Sequence, residues 1–175
     1  MRTRTFALAA LAAGLYLPAA AQPPKPEYKP FASSAGRYKV LFPGPVKTDT
    51  RELKADFGAL TLTLDSVELA DDVTFLVTHL EYPEAAPKLE PAKRLDKVRD
   101  GNKGTDGKLL SEKELAVGTE KHPAREVVIE KPEFVLRSRI VVADRRLYQV
   151  MLQGPKGYVT GPDADRFFDS FEVTR

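Results

Sequence analysis

The sequence predicts an α+β fold, a largely antiparallel sheet of about seven strands with an amphipathic mid-chain helix and a C-terminal helix packed on it. Three observations predict it. Short runs with apolar side chains at alternate positions recur along the chain, broken by Gly, Pro and Asp. One stretch changes to an apolar period of three. Near the end, phenylalanines fall at helical spacing.

The first strand is Tyr38-Lys39-Val40-Leu41-Phe42, stopped by Pro43-Gly44-Pro45, which cannot extend a ladder. The folded region is expected to start near Phe31. In the next strand Leu60, Leu62 and Leu64 alternate with Ala59, Thr61, Thr63 and Asp65, so leucine takes one face and smaller, more polar groups the other. Val73 to Tyr82 follows Asp71-Asp72. There Val73, Phe75 and Val77 oppose Leu76 and Leu80, as in an interior strand covered on both sides.

Between Pro91 and Lys103, Ala92, Leu95 and Val98 recur among Lys93, Arg94, Asp96, Lys97, Arg99 and Asp100. This is an amphipathic helix, with Pro91 in its first turn and Gly101 and Gly104 ending it. Four strands follow: Leu109 to Val117, Ala124 to Glu130, Phe134 to Val142, and Leu147 to Gln153. The breaks at Gly118 to Pro123, Lys131-Pro132 and Asp144-Arg145 are short enough to join antiparallel neighbours. In the third of these strands Phe134, Leu136, Ser138, Ile140 and Val142 form a core face, and Val135, Arg137, Arg139 and Val141 a mixed one. The last helix opens at Gly161-Pro162, with Asp163 and Asp165 at its positive end. Ala164, Phe167, Phe168 and Phe171 form its buried stripe.

Upstream, Met1 to Ala21 has the order of a secretory signal peptide: Arg2 and Arg4, an apolar stretch from Phe6 to Leu17, then Ala19-Ala20-Ala21 before Gln22. Cleavage between Ala21 and Gln22 is expected, followed by a proline-rich spacer over 22–30 and one domain over 31–175. Pro18 closes the apolar run short of the roughly 20 residues a membrane span takes. No cysteine follows for lipid attachment, so the product is expected to be exported, periplasmic or secreted, with no membrane span after cleavage. The full chain has 27 Lys+Arg and 25 Asp+Glu. Losing Arg2 and Arg4 leaves the two signs equal, which removes the basic excess a nucleic-acid partner calls for. The chain has no cysteine, so stability in an oxidising compartment has to come from packing.

The opening segment from Phe31 to Pro43 (FASSAGRYKVLFP), the closing Asp165 to Phe171 (DRFFDSF), the Phe-Pro strand end and the hairpin around Leu147-Tyr148 carry a resemblance. With this order of elements the chain resembles small secreted bacterial domains of the PsbP-like type, named for an extrinsic subunit of photosystem II. The resemblance implies a non-catalytic accessory or binding domain serving a larger assembly or the cell envelope. It brings no catalytic residues and no cofactor.

The residues themselves agree with that expectation. There is no cysteine, no G-x-S-x-G, and only His79 and His122 as bases for a serine triad. His79 and Glu81 share a strand face, but two ligands do not make a metal site, and His79 is expected where its strand runs out of the core, partly exposed. Helical spacing and the dipole explain Asp163, Asp165 and Asp169 without calcium. The stretch Gly101 to Leu109 looks like a phosphate loop, but Asn102 stands at its first glycine and Leu109 at its Ser/Thr position, so a turn is expected. Glu112, Glu114, Glu126 and Glu130 leave open a hydrolase with paired strand carboxylates. A structural envelope component that self-associates through its sheet is the other alternative.

Arg125, Arg137 and Arg139, read as lying on one mixed face beside Val127, Val135 and Val141, are the binding candidates. Their guanidiniums can hold a carboxylate or phosphate of a small anionic ligand or an envelope protein, or else pair across strands with the neighbouring glutamates.

Overall fold

A computed structural model describes residues 26–69 and 72–175. The expected signal peptide, its cleavage point at Ala21 and Gln22, and the spacer from Gln22 to Lys25 lie outside the described residues. The strands are β1 (Lys29–Ser33), β2 (Tyr38–Phe42), β3 (Lys47–Ala55), β4 (Gly58–Leu69) and β5 (Val73–Glu81). Helix α1 (Pro91–Lys103) comes next, then β6 (Lys108–Val117), β7 (His122–Glu130), β8 (Val135–Ala143) and β9 (Arg146–Gly154). The chain closes with α2 (Lys156–Val159), α3 (Pro162–Asp169) and β10 (Glu172–Val173).

Seven strands form one antiparallel sheet in the order β3-β4-β5-β9-β8-β7-β6, and β1, β2 and β10 form a second, small one. The expected count of seven holds for the main sheet, but its membership differs. Pro43 and Pro45 interrupt the ladder, and Tyr38–Phe42 pairs outside the main sheet with β1 and β10. Its place is taken by β3, which is exposed along almost its whole length and so carries no apolar period to read. Strand β1 starts at Lys29, two residues before the expected boundary at Phe31. Tyr28 already packs edge-on against Phe75 and donates its hydroxyl to the Asp163 carbonyl.

The main sheet is covered on both faces, which explains why β5 is apolar on both. One face meets the small sheet, α2 and α3 around Phe42, Phe75, Tyr148, Phe167 and Phe168. The other carries α1 over a smaller cluster of Leu80, Leu95, Ile140, Val142 and Leu147. Strand β4 serves each core in turn. Leu60 is buried and Leu62 packs on the smaller cluster, but farther along Asp65 and Val67, on the face expected to be polar, enter the larger core. The mixed face of β8 likewise turns to the larger core, where Val135 and Val141 are buried.

Helix α1 has the expected limits, but Gly101 lies inside it. Gly104 ends it in the left-handed region, at φ 58°, with its N–H on the Asp100 carbonyl. Ala92 is exposed, and the buried contact is made by Leu95, helped by Val98 and by Asn102, which donates to the Ser138 hydroxyl at 3.2 Å. The loop after the helix is a tight turn. The Gly107 N–H bonds to the Lys103 carbonyl, and a Cβ there would stand 2.3 Å from that oxygen.

Candidate functional site

The β7–β8 register separates the three candidate arginines. Glu126 lies opposite Arg139 and Val128 opposite Arg137, whereas Arg125 lies opposite Ile140. Paired residues share a face, so Arg137 and Arg139 look toward α3 while Arg125 looks toward α1. The expectation of one shared face is therefore corrected: the turn pairs even positions of β7 with odd positions of β8, and the spacing within each strand does not reveal this.

On the α3 side, Arg137 Nε and Nη2 donate to Glu126 Oε1 at 3.2 and 3.0 Å, and Arg139 Nε donates to Oε2 at 2.8 Å. Lys113 Nζ adds a third cation at 3.1 Å. The outer ends of both guanidiniums hold the last helix. Arg137 Nη1 reaches Asp165 at 2.7 Å, Arg139 Nη1 the Phe168 carbonyl at 2.6 Å, and Arg139 Nη2 Asp169 at 3.1 Å. Arg137 also stacks over the Phe168 ring at 4.4 Å. Burial alone would raise the Glu126 carboxyl, but Arg139, Arg137 and Lys113 outweigh it and hold it below the ordinary carboxylate range. On the α1 side, Arg125 binds Asp96, Glu112 and Glu114, and Arg99 binds Asp96, Asp100 and Glu112. These guanidiniums are engaged within the chain, and they dock both helices on the sheet.

His79 is in the core, which corrects the expectation of partial exposure. It is 9% exposed and packs on Tyr38 and Tyr148 at ring distances of 5.9 and 6.4 Å. The small sheet and the Gly36 turn continue over the end of β5, and Gly36 is needed there because a Cβ would stand 2.8 Å from the His79 and Tyr38 rings. Tyr38 donates to buried Asp65, as does Thr48, and Tyr148 donates to the Gly36 carbonyl. His79 Nε2 has no hydrogen-bond partner among the described residues, and Glu81, its expected companion, pairs with Arg145 and Arg146. Burial lowers the His79 pKa, with Arg146 adding to this and Asp65 opposing it.

A pH dependence follows. The unfolded histidine takes a proton below about pH 6.5, the folded one only at lower pH, so the unfolded state binds more protons between the two values. The contribution of His79 to stability is complete above about pH 6.5 and is lost as pH falls through the lower, folded value. Urea unfolding at about pH 7.5 and about pH 5.5 should show this loss, and His79→Gln should reduce it. An undiminished loss in the variant would refute the assignment.

Two of the surface concavities bear on a binding role. A cleft of about 380 Å³ near Tyr148 has Arg37, Arg145, Arg146 and Arg175 on its walls, but Glu81 and Glu120 answer three of these four. The larger, of about 570 Å³, lies between α1, the β3–β4 turn and the segment after β5. The apolar part of its wall is formed by Phe57 and Tyr82, with ring centroids 6.2 Å apart, and by Leu89 and Val98. Gln149 of β9 lines it from the sheet, and its Oε1 is buried without a hydrogen-bond partner among the described residues. Helix α1 lines it with Arg94, Lys97, Val98 and Gly101, which share one helical face. Over Gly101 an added Cβ would meet no atom of the described residues within 4 Å.

Sequence reasoning missed this groove. Its one local signal is Gly101, a glycine inside a periodic helix, where the sequence pattern alone predicts a helix end. Gln149 and Phe57 give no local signal, because distant pairing brings them to the helix. Among the described residues no group of three or more His, Cys, Asp or Glu is arranged to hold a metal ion, and no helix is long and apolar enough to cross a membrane.

No family model matches the chain, and no curated protein matches it. Among solved structures, the solution structure of cyanobacterial PsbP (CyanoP) from Synechocystis sp. PCC 6803 is similar, with 12% sequence identity and a TM-score of 0.53. The match covers 90% of this chain and 98% of that one. This likeness bears out the PsbP-like fold expected from the opening and closing segments.

Proposed function

We propose that this chain, which has the PsbP-like fold, is an exported, non-catalytic binding domain of the cell envelope whose ligand sits in the groove between α1 and the β3–β4 turn. The observation that carries the reading is Gly101. A glycine inside a helix is about 1 kcal/mol less favourable than alanine, and here no neighbour among the described residues excludes a larger side chain. The residue keeps a groove of about 570 Å³ open at a cost in stability. That volume falls within the roughly 300–1,000 Å³ of small-molecule sites, and such sites combine apolar walls with a few polar groups, as this groove does.

The hydrolase reading is less favoured. It needs one strand carboxyl held protonated as a general acid. Glu126, the buried candidate, is instead held ionised by three cations, and Glu112 and Glu114 are engaged by Arg99 and Arg125. Arg125, Arg137 and Arg139 are proposed to serve the reading indirectly, by fixing the helices against the sheet. Export rests on the signal-like order of Met1 to Ala21, and sequencing the N-terminus of the secreted product tests it.

The binding reading is tested by native mass spectrometry of the protein purified from its envelope fraction. A non-covalent small-molecule adduct of unchanging mass is expected. It should be lost in Gly101→Leu, whose melting temperature should be unchanged or higher because leucine is the better helix former. An adduct retained in the variant, or none in either protein, would refute the reading.

A further inference from the structure

We infer that the groove takes a free amphipathic carboxylate that also carries an N–H or O–H donor. The inference rests on the binding reading above and names the chemistry of its ligand. Phe57, Tyr82, Leu89 and Val98 offer an apolar body somewhere to lie. Leu89, at the rim, is 45% exposed, and a bound apolar body would cover it.

The charge of the anion follows from the charges around the groove. Its lining holds two cations, Arg94 and Lys97, and one acid, Asp56, leaving a single positive charge. The ion pairs of α1 run through Asp96, Arg99 and Asp100, on the side toward β6 and β7. Arg94 is held differently: it stacks over the Tyr82 ring at 4.9 Å and donates one N–H to the Asp144 carbonyl at 3.3 Å, contacts that leave its charge unneutralised by any carboxylate among the described residues. An excess of one positive charge suits a carboxylate better than a dianionic phosphate, and a guanidinium beside an ammonium binds a carboxylate through charge-assisted hydrogen bonds.

The third requirement comes from Gln149. Its Oε1 accepts no hydrogen bond from the described residues, and a buried acceptor left unmatched is costly. A ligand N–H or O–H partway along the apolar body would satisfy it once the amide turns this shielded oxygen into the groove. A plain hydrocarbon chain would not.

The test uses a dansylaminoundecanoic acid probe, which has the carboxylate, the apolar chain, and an N–H, together with its uncharged methyl ester. Titrated into the full chain, the acid should give a saturable, blue-shifted fluorescence rise. Gly101→Leu should raise its Kd about tenfold or more. Leu89→Asp, a substitution at an exposed position outside helix and strand, should weaken the acid as well and covers the case in which Gly101→Leu does not fold. Lys97→Gln should weaken the acid severalfold and leave the ester unchanged, and Gln149→Leu should weaken both. Equal affinity for acid and ester would overturn the carboxylate. Saturable binding indifferent to Gly101→Leu and Leu89→Asp would overturn the location. No binding of either probe would overturn the ligand class, while an adduct seen by mass spectrometry and lost in Gly101→Leu would still uphold the groove as a binding site.

Discussion

Phe167→Ala should destabilise the protein by about 3 to 5 kcal/mol, the loss typical of emptying a fully enclosed aromatic position. Phe167 has no solvent exposure. Its ring contacts Phe42 of the small sheet at 5.4 Å, Phe75 of the main sheet edge-on at 5.0 Å, and Phe168 of its own helix at 5.4 Å. It is therefore where α3 and both sheets meet. Removing it leaves a cavity bounded by three elements, which relaxation of a side chain or two cannot fill. Phe171→Ala should be a smaller loss, because Phe171 follows the helix and is 5% exposed beside Tyr38 and Tyr148. Urea denaturation monitored by circular dichroism measures both, and an unchanged midpoint for Phe167→Ala would refute this packing.

Glu126→Ala should also cost about 3 to 5 kcal/mol, for an electrostatic reason. Removing one partner of a buried ion pair leaves the other charges uncompensated. Here they are the Arg137 and Arg139 guanidiniums, 8% and 7% exposed, with Lys113 beside them. The same residues position α3 through Asp165, Asp169 and the Phe168 carbonyl, so the variant should loosen the last helix first. Faster hydrogen exchange in α3 than in β4 or β5 would show it. Because the Glu126 carboxyl is held low in the folded protein, its contribution is complete above the ordinary glutamate value and is lost as pH falls through the folded one. Wild-type protein should therefore lose stability in acid by an amount that Glu126→Ala no longer shows. An acid limb unchanged in the variant would contradict the assignment.

Much of the fold was legible where a local pattern reflects a local environment. Pro91 and the charged positions around Leu95 mark α1, because a helix over a sheet needs one apolar stripe and solvates the rest. The paired apolar faces of Val73 to Leu80 mark a central strand because both sides are covered. Strand β3 shows the limit of such reading. It is exposed at nearly every position, so only its hydrogen bonds to β4 make it a strand. His79 shows a second limit: its burial depends on the Gly36 turn, far away in sequence, closing over the end of β5.

The site was less legible than the fold. The three arginines stood out as charges interleaved with valines on strands, and the structure places all of them in ion pairs, on two different faces. Alternation determines which residues of one strand share a face, but only register joins the faces of neighbouring strands, and register is set by turn geometry. The groove joins a helix, a hairpin turn and a central strand, so its members are scattered as Phe57, Gly101 and Gln149.

The sequence by itself determined the α+β class, the limits of α1, the buried phenylalanine stripe of the last helix and the four consecutive antiparallel strands, because each is written in periodicity and in turn residues over a few positions. Tertiary structure alone decided that Tyr38–Phe42 leaves the main sheet, that Arg125 faces away from Arg137 and Arg139, that His79 is buried, and that Gly101 faces a groove. Each of these depends on which distant segment lies alongside. Such contacts are made by pairing and packing between elements, and leave no repeating mark within any one of them.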